Sequence, residues 1–196
     1  MLKNKKAILF GERDDISGTT LHACVKSAGA DIVYESTACF VWTAAGAVGL
    51  TAQEEVKKLA DQYGPENLII VFGLNQPFNL QIMATTFKNG DPSFAGPLAG
   101  IALNIPSYHI LELQDHIPPE TWDNEMGMYE LELEEETQGK IKKLMQEIRG
   151  WWVDGTLPYQ YYRPEPRKTT HHQQLVNMKL IFSRYPFQPA VNILNH

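Results

Sequence analysis

The chain has 196 residues, of which 43% are apolar and 20% are charged, and its net charge is −6. This length suits one packed core with a small appendage, and so small a charge argues against a nucleic-acid or polyphosphate partner. No apolar run reaches the length of a membrane span and no secretory signal precedes the first strand, so we expect a cytoplasmic protein. The two cysteines are too few for a disulfide framework.

The composition changes near Gly150, which we interpret as a domain boundary. Residues 1–150 carry 12 basic and 21 acidic side chains, hence −9, whereas residues 151–196 carry 5 basic and 2 acidic, hence +3. The second segment also holds 5 of the 12 prolines and 8 of the 20 aromatic residues, without a sustained helical or alternating period. We predict one domain over residues 1–150 and an irregular C-terminal extension over residues 151–196.

Strands and helices alternate through residues 1–150. Short apolar runs bounded by turn residues predict buried strands, and apolar residues spaced three and four apart predict helices. The predicted strands cover residues 6–11, 31–35, 67–73 and 108–113. The predicted helices cover residues 19–28, 51–63, 78–87 and the neighbourhood of 141–148, the second of them opening with a capping box, Thr51–Glu54, and ending at Gly64.

This alternation predicts a doubly wound α/β domain with a mostly parallel sheet and helices on both faces, in the three-layer arrangement of flavodoxin-like or Rossmann-like proteins. In such sheets the reactive groups gather on loops that follow the carboxyl ends of the strands. Here those loops cover residues 11–18, 36–49 and 73–77. The sequence has no glycine-rich phosphate loop, so nucleotide binding lacks support.

Cys39 lies in the loop after the second predicted strand, just before small residues that can open a helix. Backbone amides and a helix N-terminus favour the thiolate there and lower the pKa of a thiol from about 8.5, which makes Cys39 a candidate nucleophile. A redox pair needs a second thiol or selenol three residues on, whereas position 42 is Trp42. On spacing alone, a buried and unreactive cysteine is the competing interpretation.

Four other patterns each have a functional and a structural interpretation. Arg13 either binds a carboxylate or forms a surface ion pair. The segment Gly96–Gly100 either lets a ligand approach the backbone or makes a turn. The acidic run over residues 130–136 is typical of a solvated face, with partner docking as the alternative. The six histidines lack metal-ligand spacing, so we predict no metal site.

Five blocks of sequence carry a more specific signal, and the most informative is Cys39-Phe-Val-Trp-Thr-Ala-Ala-Gly46. The other four blocks are Phe10–Asp14, Cys24–Gly29, Gly90–Gly100 and Met126–Met128. In this order the blocks resemble the selenoprotein A component of the glycine, sarcosine and betaine reductase complexes, in which selenocysteine occupies the place of Trp42. The resemblance covers about residues 4–149, so residues 151–196 fall outside it.

The resemblance implies a selenium nucleophile at position 42 and a resolving thiol at Cys39. In that family a substrate-binding component B presents the substrate as an imine, and the selenolate displaces the amine to form a carboxymethyl selenoether. Component C receives the two-carbon unit and forms acetyl phosphate while the cysteine closes onto selenium, and thioredoxin reopens the pair. The resemblance implies no further cofactor, and it assigns the choice of glycine, sarcosine or betaine to component B.

A tryptophan at position 42 cannot perform this chemistry. Its indole does not ionise near neutral pH and has no free lone pair with which to attack carbon and displace the amine. Two explanations are open. Either a UGA codon for selenocysteine was translated as tryptophan, or the chain is a noncatalytic paralogue that serves as a partner-binding module. The first explanation also fits Trp151 and Trp152, where a second UGA would be a stop codon read through.

Overall fold

The structure is a computed structural model that describes residues 1–38, 48–91 and 96–150. Its strands are β1 (Lys6–Glu12), β2 (Asp31–Ala38), β3 (Leu68–Phe72) and β4 (Ser107–His109). They form one sheet in the order β2-β1-β3-β4, and every neighbouring pair is parallel. The described residues therefore confirm the predicted doubly wound α/β fold. The predicted extension over residues 151–196 lies outside the described residues.

Five α-helices cover the sheet in the described part of the chain. They are α1 (Gly18–Ser27), α2 (Leu50–Tyr63), α3 (Pro77–Asn89), α4 (Pro119–Glu132) and α5 (Glu135–Gly150). The chain steps one way from β1 to β2 and then the other way to β3 and β4, so right-handed crossovers place α1 on one face and α2 and α3 on the opposite face. The helix α4 packs on α1, and α5 packs on α3 and β4, which completes three layers.

The two central strands are buried on both faces, which explains their nearly continuous apolar sequences. All five residues of β3 are buried, as are all but the first of β1. Phe10 stacks on Phe72 and on Phe87 of α3, with ring centroids 5.9 and 5.0 Å apart. None of the described helices is both long enough and apolar enough to span a membrane.

Two predicted details of the elements are wrong. The helix α2 begins at Leu50 after Gly49 and no side chain caps it, so Thr51 lies within the first turn and the predicted capping box does not form. The fourth strand is shorter than predicted, because the chain turns into a 3-10 helix over Ile110–Glu112. The His109 side chain accepts a hydrogen bond from the Leu111 amide and so helps to end the strand.

The helix α4 was not among the predicted elements, because only Trp122 and Met126 of its 14 residues are buried and no regular apolar stripe results. The acidic run begins within it. Glu130 accepts a hydrogen bond from the Trp122 indole at 2.9 Å, whereas Glu132 and Glu134–Glu136 are exposed. Most of the run is therefore the solvated face that its composition predicts.

Arg149 fixes the end of α5 to the strand β4. Its guanidinium donates to both carboxylate oxygens of Glu112, at 2.6 and 3.0 Å, and to the Ser107 carbonyl at 3.0 Å. The same guanidinium lies over the Tyr108 ring, 4.3 Å from its centroid. The Lys88 ammonium of α3 donates to the Arg149 carbonyl at 3.0 Å. One side chain thus joins the last helix to the edge of the sheet.

His109 is fully buried beside this network. Its Nδ1 atom accepts from the Leu111 amide at 3.3 Å, which leaves the proton on Nε2. Burial lowers the pKa of His109 to about 3, although the backbone of Leu74 acts in the opposite direction. The ring is therefore neutral near pH 7 and serves the fold as a hydrogen-bonding group.

We expect Arg149→Met to lower the free energy of unfolding by about 3 kcal/mol, because it leaves the buried Glu112 carboxylate without its counter-charge. Urea unfolding measures this change. The matched control is Lys143→Met, since the exposed Lys143 ammonium lies 4.0 Å from Glu147 and contributes well under ~1 kcal/mol. Equal stability of the Arg149→Met protein and the parent would contradict this assignment.

Candidate active site at the carboxyl ends of the strands

The strands β1, β2 and β3 end at one side of the sheet, at Glu12, Ala38 and Phe72, and we call this side the carboxyl edge. Glu12 is paired with Ala38 across the parallel ladder. This is the edge at which the reactive loops were predicted. Cys39 and Trp42 follow Ala38 and lie outside the described residues, so the roles predicted for them stay predictions.

The turn over residues 13–17 ties the three strand ends together. The Arg13 amide donates to the Ala38 carbonyl at 2.9 Å, and the Ile16 amide donates to the Gly73 carbonyl at 3.2 Å. Gly11 lies so close to this turn that a Cβ atom there would overlap the backbone of Ser17 and Gly18. Both neighbouring strand ends are therefore held in a fixed position relative to β1.

The first turn of α1 already uses amides that an anion would otherwise bind. The Ser17 hydroxyl accepts a hydrogen bond from the Thr20 amide at 3.2 Å, as an N-cap does. The Gly18 amide donates to the Thr37 hydroxyl of β2 at 2.9 Å. These contacts further anchor the end of β2, directly before Cys39.

Glu12 is a buried acid at the carboxyl edge. Its side chain is only 7% exposed, and its Oε2 atom accepts no hydrogen bond from any described residue. Burial raises the pKa of Glu12 to about 8, with further contributions from a hydrogen bond to Asp15 and from the charges of Asp15 and Asp14. A hydrogen bond between two carboxyl groups requires a proton on one of them. Glu12 is therefore mainly protonated at pH 7.

Asp15 and Asn75 complete what we call the strand-end cluster with Glu12. The Asn75 amide donates to Asp15 Oδ2 at 2.9 Å, which joins the turn after β1 to the segment after β3. The side-chain oxygen of Asn75 is buried and has no hydrogen-bond partner among the described residues. The cluster thus holds two buried oxygen atoms that accept no hydrogen bond from the described part of the chain.

We expect Glu12→Gln to remove a loss of stability that the parent shows as the pH rises. The folded parent keeps the Glu12 proton up to about pH 8, whereas the unfolded chain releases it near the ordinary value of 4.5, so the free energy of unfolding falls between these pH values. The side-chain amide of the variant does not titrate, and its advantage at pH 8 is on the order of 4 kcal/mol. Urea unfolding from pH 5 to 9 measures this difference.

The control for this series is Glu54→Gln, which changes an exposed carboxyl on α2. We expect its unfolding free energy to follow that of the parent at each pH. A Glu12→Gln protein with the same pH dependence as the parent would show that Glu12 ionises normally in the folded state.

Arg13 lies on the surface of the same turn. Its side chain is 63% exposed, and its Nε atom lies 3.5 Å from Asp14 Oδ1. Of the two interpretations of this residue, the structure shows the surface ion pair.

Gln53 of α2 holds the ends of two further loops at once. Its Nε2 atom donates to the Val48 carbonyl at 3.0 Å and to the Asp91 carboxylate at 3.1 Å, and its Oε1 atom accepts from the Leu98 amide at 3.2 Å. Val48 begins the chain again after residues 39–47, and Asp91 and Leu98 flank residues 92–95. Gln53 is only 2% exposed, so these bonds are protected from water.

The segment Gly96–Gly100 forms a turn, and its backbone at Gly96 lies close to the side chains of Gln53 and Asp91. The Ala99 amide donates to the Gly96 carbonyl at 2.9 Å, and the Ile101 amide donates to the Leu98 carbonyl at 3.0 Å. A Cβ atom on Gly96 would overlap the Gln53 amide and the Asp91 carboxylate. A glycine is therefore required there by the polar groups that fix the loop.

We expect Gly96→Ala to destabilise the protein by about 1–3 kcal/mol, because the new methyl group displaces Gln53 from its hydrogen bonds. Thermal unfolding measures the change. Gly139→Ala on α5 is the control, since a Cβ atom there meets nothing within 4 Å and alanine favours the helix. A Gly96→Ala protein as stable as this control would mean that Gln53 does not restrain the loop.

The remaining candidate groups in the described residues do not form a reactive site. Cys24 is completely buried, and burial together with the charge of Glu125 raises the pKa of its thiol to about 12. His22 contacts Glu35 at 2.8 Å on the surface. No group of three or more histidine, cysteine, aspartate or glutamate side chains within the described ranges is placed to hold a metal ion.

Glu12 and Gln53 were not among the site residues predicted from the sequence. A signal for Glu12 is present, because it follows Ile8 and Phe10 at the spacing of two that places residues on one face of a strand. Gln53 lies three residues before Val56 and so shares the buried face of α2. Neither was predicted, because a prediction based on the pattern of apolar residues places polar residues on the surface, whereas these two are buried.

A family model described as "Glycine reductase complex selenoprotein A" matches residues 2–149. The chain belongs to this family. Among its curated relatives, the glycine/sarcosine/betaine reductase complex component A of Symbiobacterium thermophilum is 42% identical over 150 residues, which cover 76% of this chain and 93% of the relative. Component A of Gottschalkia purinilytica is 41% identical over 152 residues, covering 76% of this chain and 99% of the relative. No solved structure matches the chain.

The match confirms the resemblance carried by the five blocks of sequence. It extends across the two internal segments that the structure does not describe, residues 39–47 and 92–95, and across the strands that form the carboxyl edge. For this member of the selenoprotein A family, the described part of the carboxyl edge contains the strand-end cluster. Gln53 binds the residue that follows residues 39–47 and a residue on each side of residues 92–95.

Proposed function

We propose that this chain is component A of a glycine, sarcosine or betaine reductase and that position 42 carries selenocysteine in the native protein. The observation that carries the proposal is the match over residues 2–149, which includes the segment Cys39–Gly46. The position of this segment in the chain supports it further. The segment follows β2 directly in the sequence, and β2 ends at the carboxyl edge, the side at which doubly wound proteins hold their reactive groups.

The proposed reaction begins with attack by the selenolate on the carbon that bears the substrate's amine, which component B holds as an imine when the substrate is glycine. A carbon–selenium bond forms, the carbon–nitrogen bond breaks, and the electron pair leaves with the amine. The Cys39 thiolate then attacks selenium, and the carbon–selenium bond breaks with its electron pair on the two-carbon unit, whose methylene carbon takes a proton to become a methyl group. Component C holds this unit as an acetyl thioester, with one carboxylate oxygen leaving as water, and phosphate then displaces the thiol to give acetyl phosphate. Thioredoxin reduces the sulfur–selenium bond and returns the chain to its starting state.

The competing proposal is a noncatalytic binding module, and the tryptophan that the sequence has at position 42 favours it. An indole at position 42 would leave the chain with its fold and its surfaces but without a nucleophile. The two proposals differ in one chemical group, so a direct analysis of position 42 separates them.

The test is mass spectrometry of the protein purified from its native host, combined with reconstitution of the complex. We expect a peptide with the mass and isotope pattern of selenium at position 42, and formation of acetyl phosphate when components B and C, the substrate and a dithiol are supplied. Tryptophan at position 42 together with an inactive complex would establish the binding module. Tryptophan together with acetyl phosphate formation would overturn the selenium mechanism itself.

We expect Cys39→Ser in the selenium-containing protein to separate the first half of the reaction from the second. The selenolate should still be alkylated by iodoacetate, whereas thioredoxin-dependent turnover should fall at least ~100-fold because no resolving thiol remains. Acetyl phosphate formation measures turnover. The matched control is Cys24→Ala, which removes the buried thiol and should retain turnover. Normal turnover of Cys39→Ser would exclude Cys39 as the resolving thiol.

We also propose that residues 151–196 follow a stop codon that was read through. The proposal is supported by the end of the family match at residue 149 and by the relative from Gottschalkia purinilytica, which is matched over 99% of its length by 76% of this chain. The nucleotide sequence tests it directly, because UGA at codon 151 or 152 is expected. UGG at both codons would show that the extension is genuine.

A further inference from the structure

We propose that one face of α4 is a docking surface for another protein component of the reductase complex, one that presents an apolar groove bordered by lysine and arginine side chains. We call it the outer face of α4, and it consists of Asn124, Gly127, Met128 and Leu131. This inference rests on the proposed function, because it assigns a surface to the assembly of which the chain is proposed to be a subunit. It is carried by exposed apolar side chains, by the acids that flank them and by the distribution of charge in the domain.

The helix α4 has apolar residues on two opposite sides. Trp122 and Met126 are buried, and Tyr129 packs against the same core, so these residues form its inner face. Successive residues of an α-helix are turned by about 100°, so residues spaced three, four and seven apart share a face. Met128 is two residues from Met126 and is therefore turned by about 200° away from it. The outer face, with the same spacing, lies on the side of the helix opposite the core.

The apolar side chains of the outer face are strongly exposed. Met128 is 68% exposed and Leu131 is 84% exposed, although single exposed apolar residues are common on protein surfaces. These two are neighbours on one helix face, beside Gly127, at which an added Cβ atom would meet nothing within 4 Å. A helix that is apolar on opposite sides is typical of one that packs on both. The described core covers the inner face only.

Acidic side chains border the outer face on both flanks. By the rotation of about 100° per residue, Glu125 and Glu132 lie on one flank, and Asp123 and Glu130 lie on the other. The last turn of α4 contains no basic residue, although the helix dipole favours a positive charge there and disfavours Glu132. The stability of α4 therefore explains neither the exposed Leu131 nor this acid.

The net negative charge of the domain is concentrated in this region. Residues 119–136 carry 8 acidic and no basic side chains, hence −8, whereas the rest of residues 1–150 carries 12 basic and 13 acidic side chains, hence −1. Of the five described α-helices, α4 alone has no lysine or arginine. The acidic run over residues 130–136 belongs to this region, and partner docking is the alternative that its sequence left open. A surface of one sign attracts a partner of the opposite sign and orients it.

The sign of the charge decides which partner suits the outer face. It would repel a nucleic acid or an anionic membrane. A second copy of the chain bound through the same face would bring like charges together. An apolar centre with a charged border is the arrangement of a protein–protein interface, in which methionine is enriched. The complementary surface is therefore a groove that receives Met128 and Leu131 and has basic side chains at its border.

The experiment measures binding of the full-length chain to purified components B and C by biolayer interferometry. Docking requires no selenium, so the chain with tryptophan at position 42 is suitable. We expect at least one component to bind the parent, and Met128→Ser combined with Leu131→Ser to raise its Kd at least ~10-fold, because a few central side chains carry most of the binding energy. The matched control is Leu50→Ser, which changes a leucine of α2 that is 58% exposed and should bind like the parent.

A second pair of variants tests the flanking acids. Asp123→Asn combined with Glu132→Gln removes one exposed charge from each flank. We expect a Kd about threefold higher than that of the parent at about 50 mM salt and nearly equal values at about 500 mM, where the charges are screened. Glu54→Gln combined with Asp61→Asn removes the same charge from exposed positions of α2 and should bind like the parent. Circular dichroism verifies that each variant is folded.

The outcomes for the docking surface and for the proposed function are distinguishable. Equal binding by the parent and both α4 variants would overturn the docking surface and leave the reductase proposal standing. Failure of both components to bind even the parent would overturn the two proposals together. Sedimentation velocity of the parent alone gives one further outcome. A dimer that dissociates on changing Met128 and Leu131 to serine would overturn the proposal, because a second copy would then occupy the outer face.

Discussion

Hydrogen bonding along both sides of β1 is the constraint on which the carboxyl edge depends. Pairing with β2 on one side and β3 on the other buries the strand and brings three strand ends to one edge of the sheet. The turn that leaves β1 must then pass directly over its neighbours, and its amides bond to Ala38 and Gly73. An acid at the last position of such a strand has little access to water. The raised pKa of Glu12 thus follows from its burial at the end of β1.

Two buried polar side chains, those of Glu12 and Gln53, lie around the candidate site. Glu12 is paired with Ala38, the residue before residues 39–47, and Gln53 binds Val48, the residue after them. Gln53 also binds Asp91 and Leu98, so the loop near Gly96 is coupled to the same helix. A polar group inside a protein is costly unless it is satisfied. Gln53 uses both ends of its amide, whereas Glu12 retains an oxygen that accepts no hydrogen bond from the described residues.

The alternation of apolar runs and amphipathic segments was sufficient to predict the parallel α/β sheet and most of its helices. The prediction failed where the local pattern is weak. The helix α4 was missed because it buries only two side chains, and the capping box at Thr51 does not form because α2 begins one residue earlier, at Leu50. It also failed for Glu12 and Gln53, because periodicity assigns polar residues to the surface and burial of a polar residue is decided by tertiary contacts. The predicted redox roles of Cys39 and position 42 came from the family resemblance, because selenocysteine cannot be deduced from a sequence that has tryptophan at that position.

The attachment of α5 has an implication for how such a gene can change. The helix makes its final contacts through Arg149, whose side chain binds Glu112 and whose carbonyl accepts from Lys88. All of these contacts are made by residues that precede Trp151 in the chain. A gene whose coding sequence ended at codon 150 would therefore still encode the contacts that Arg149 makes with Glu112 and Lys88.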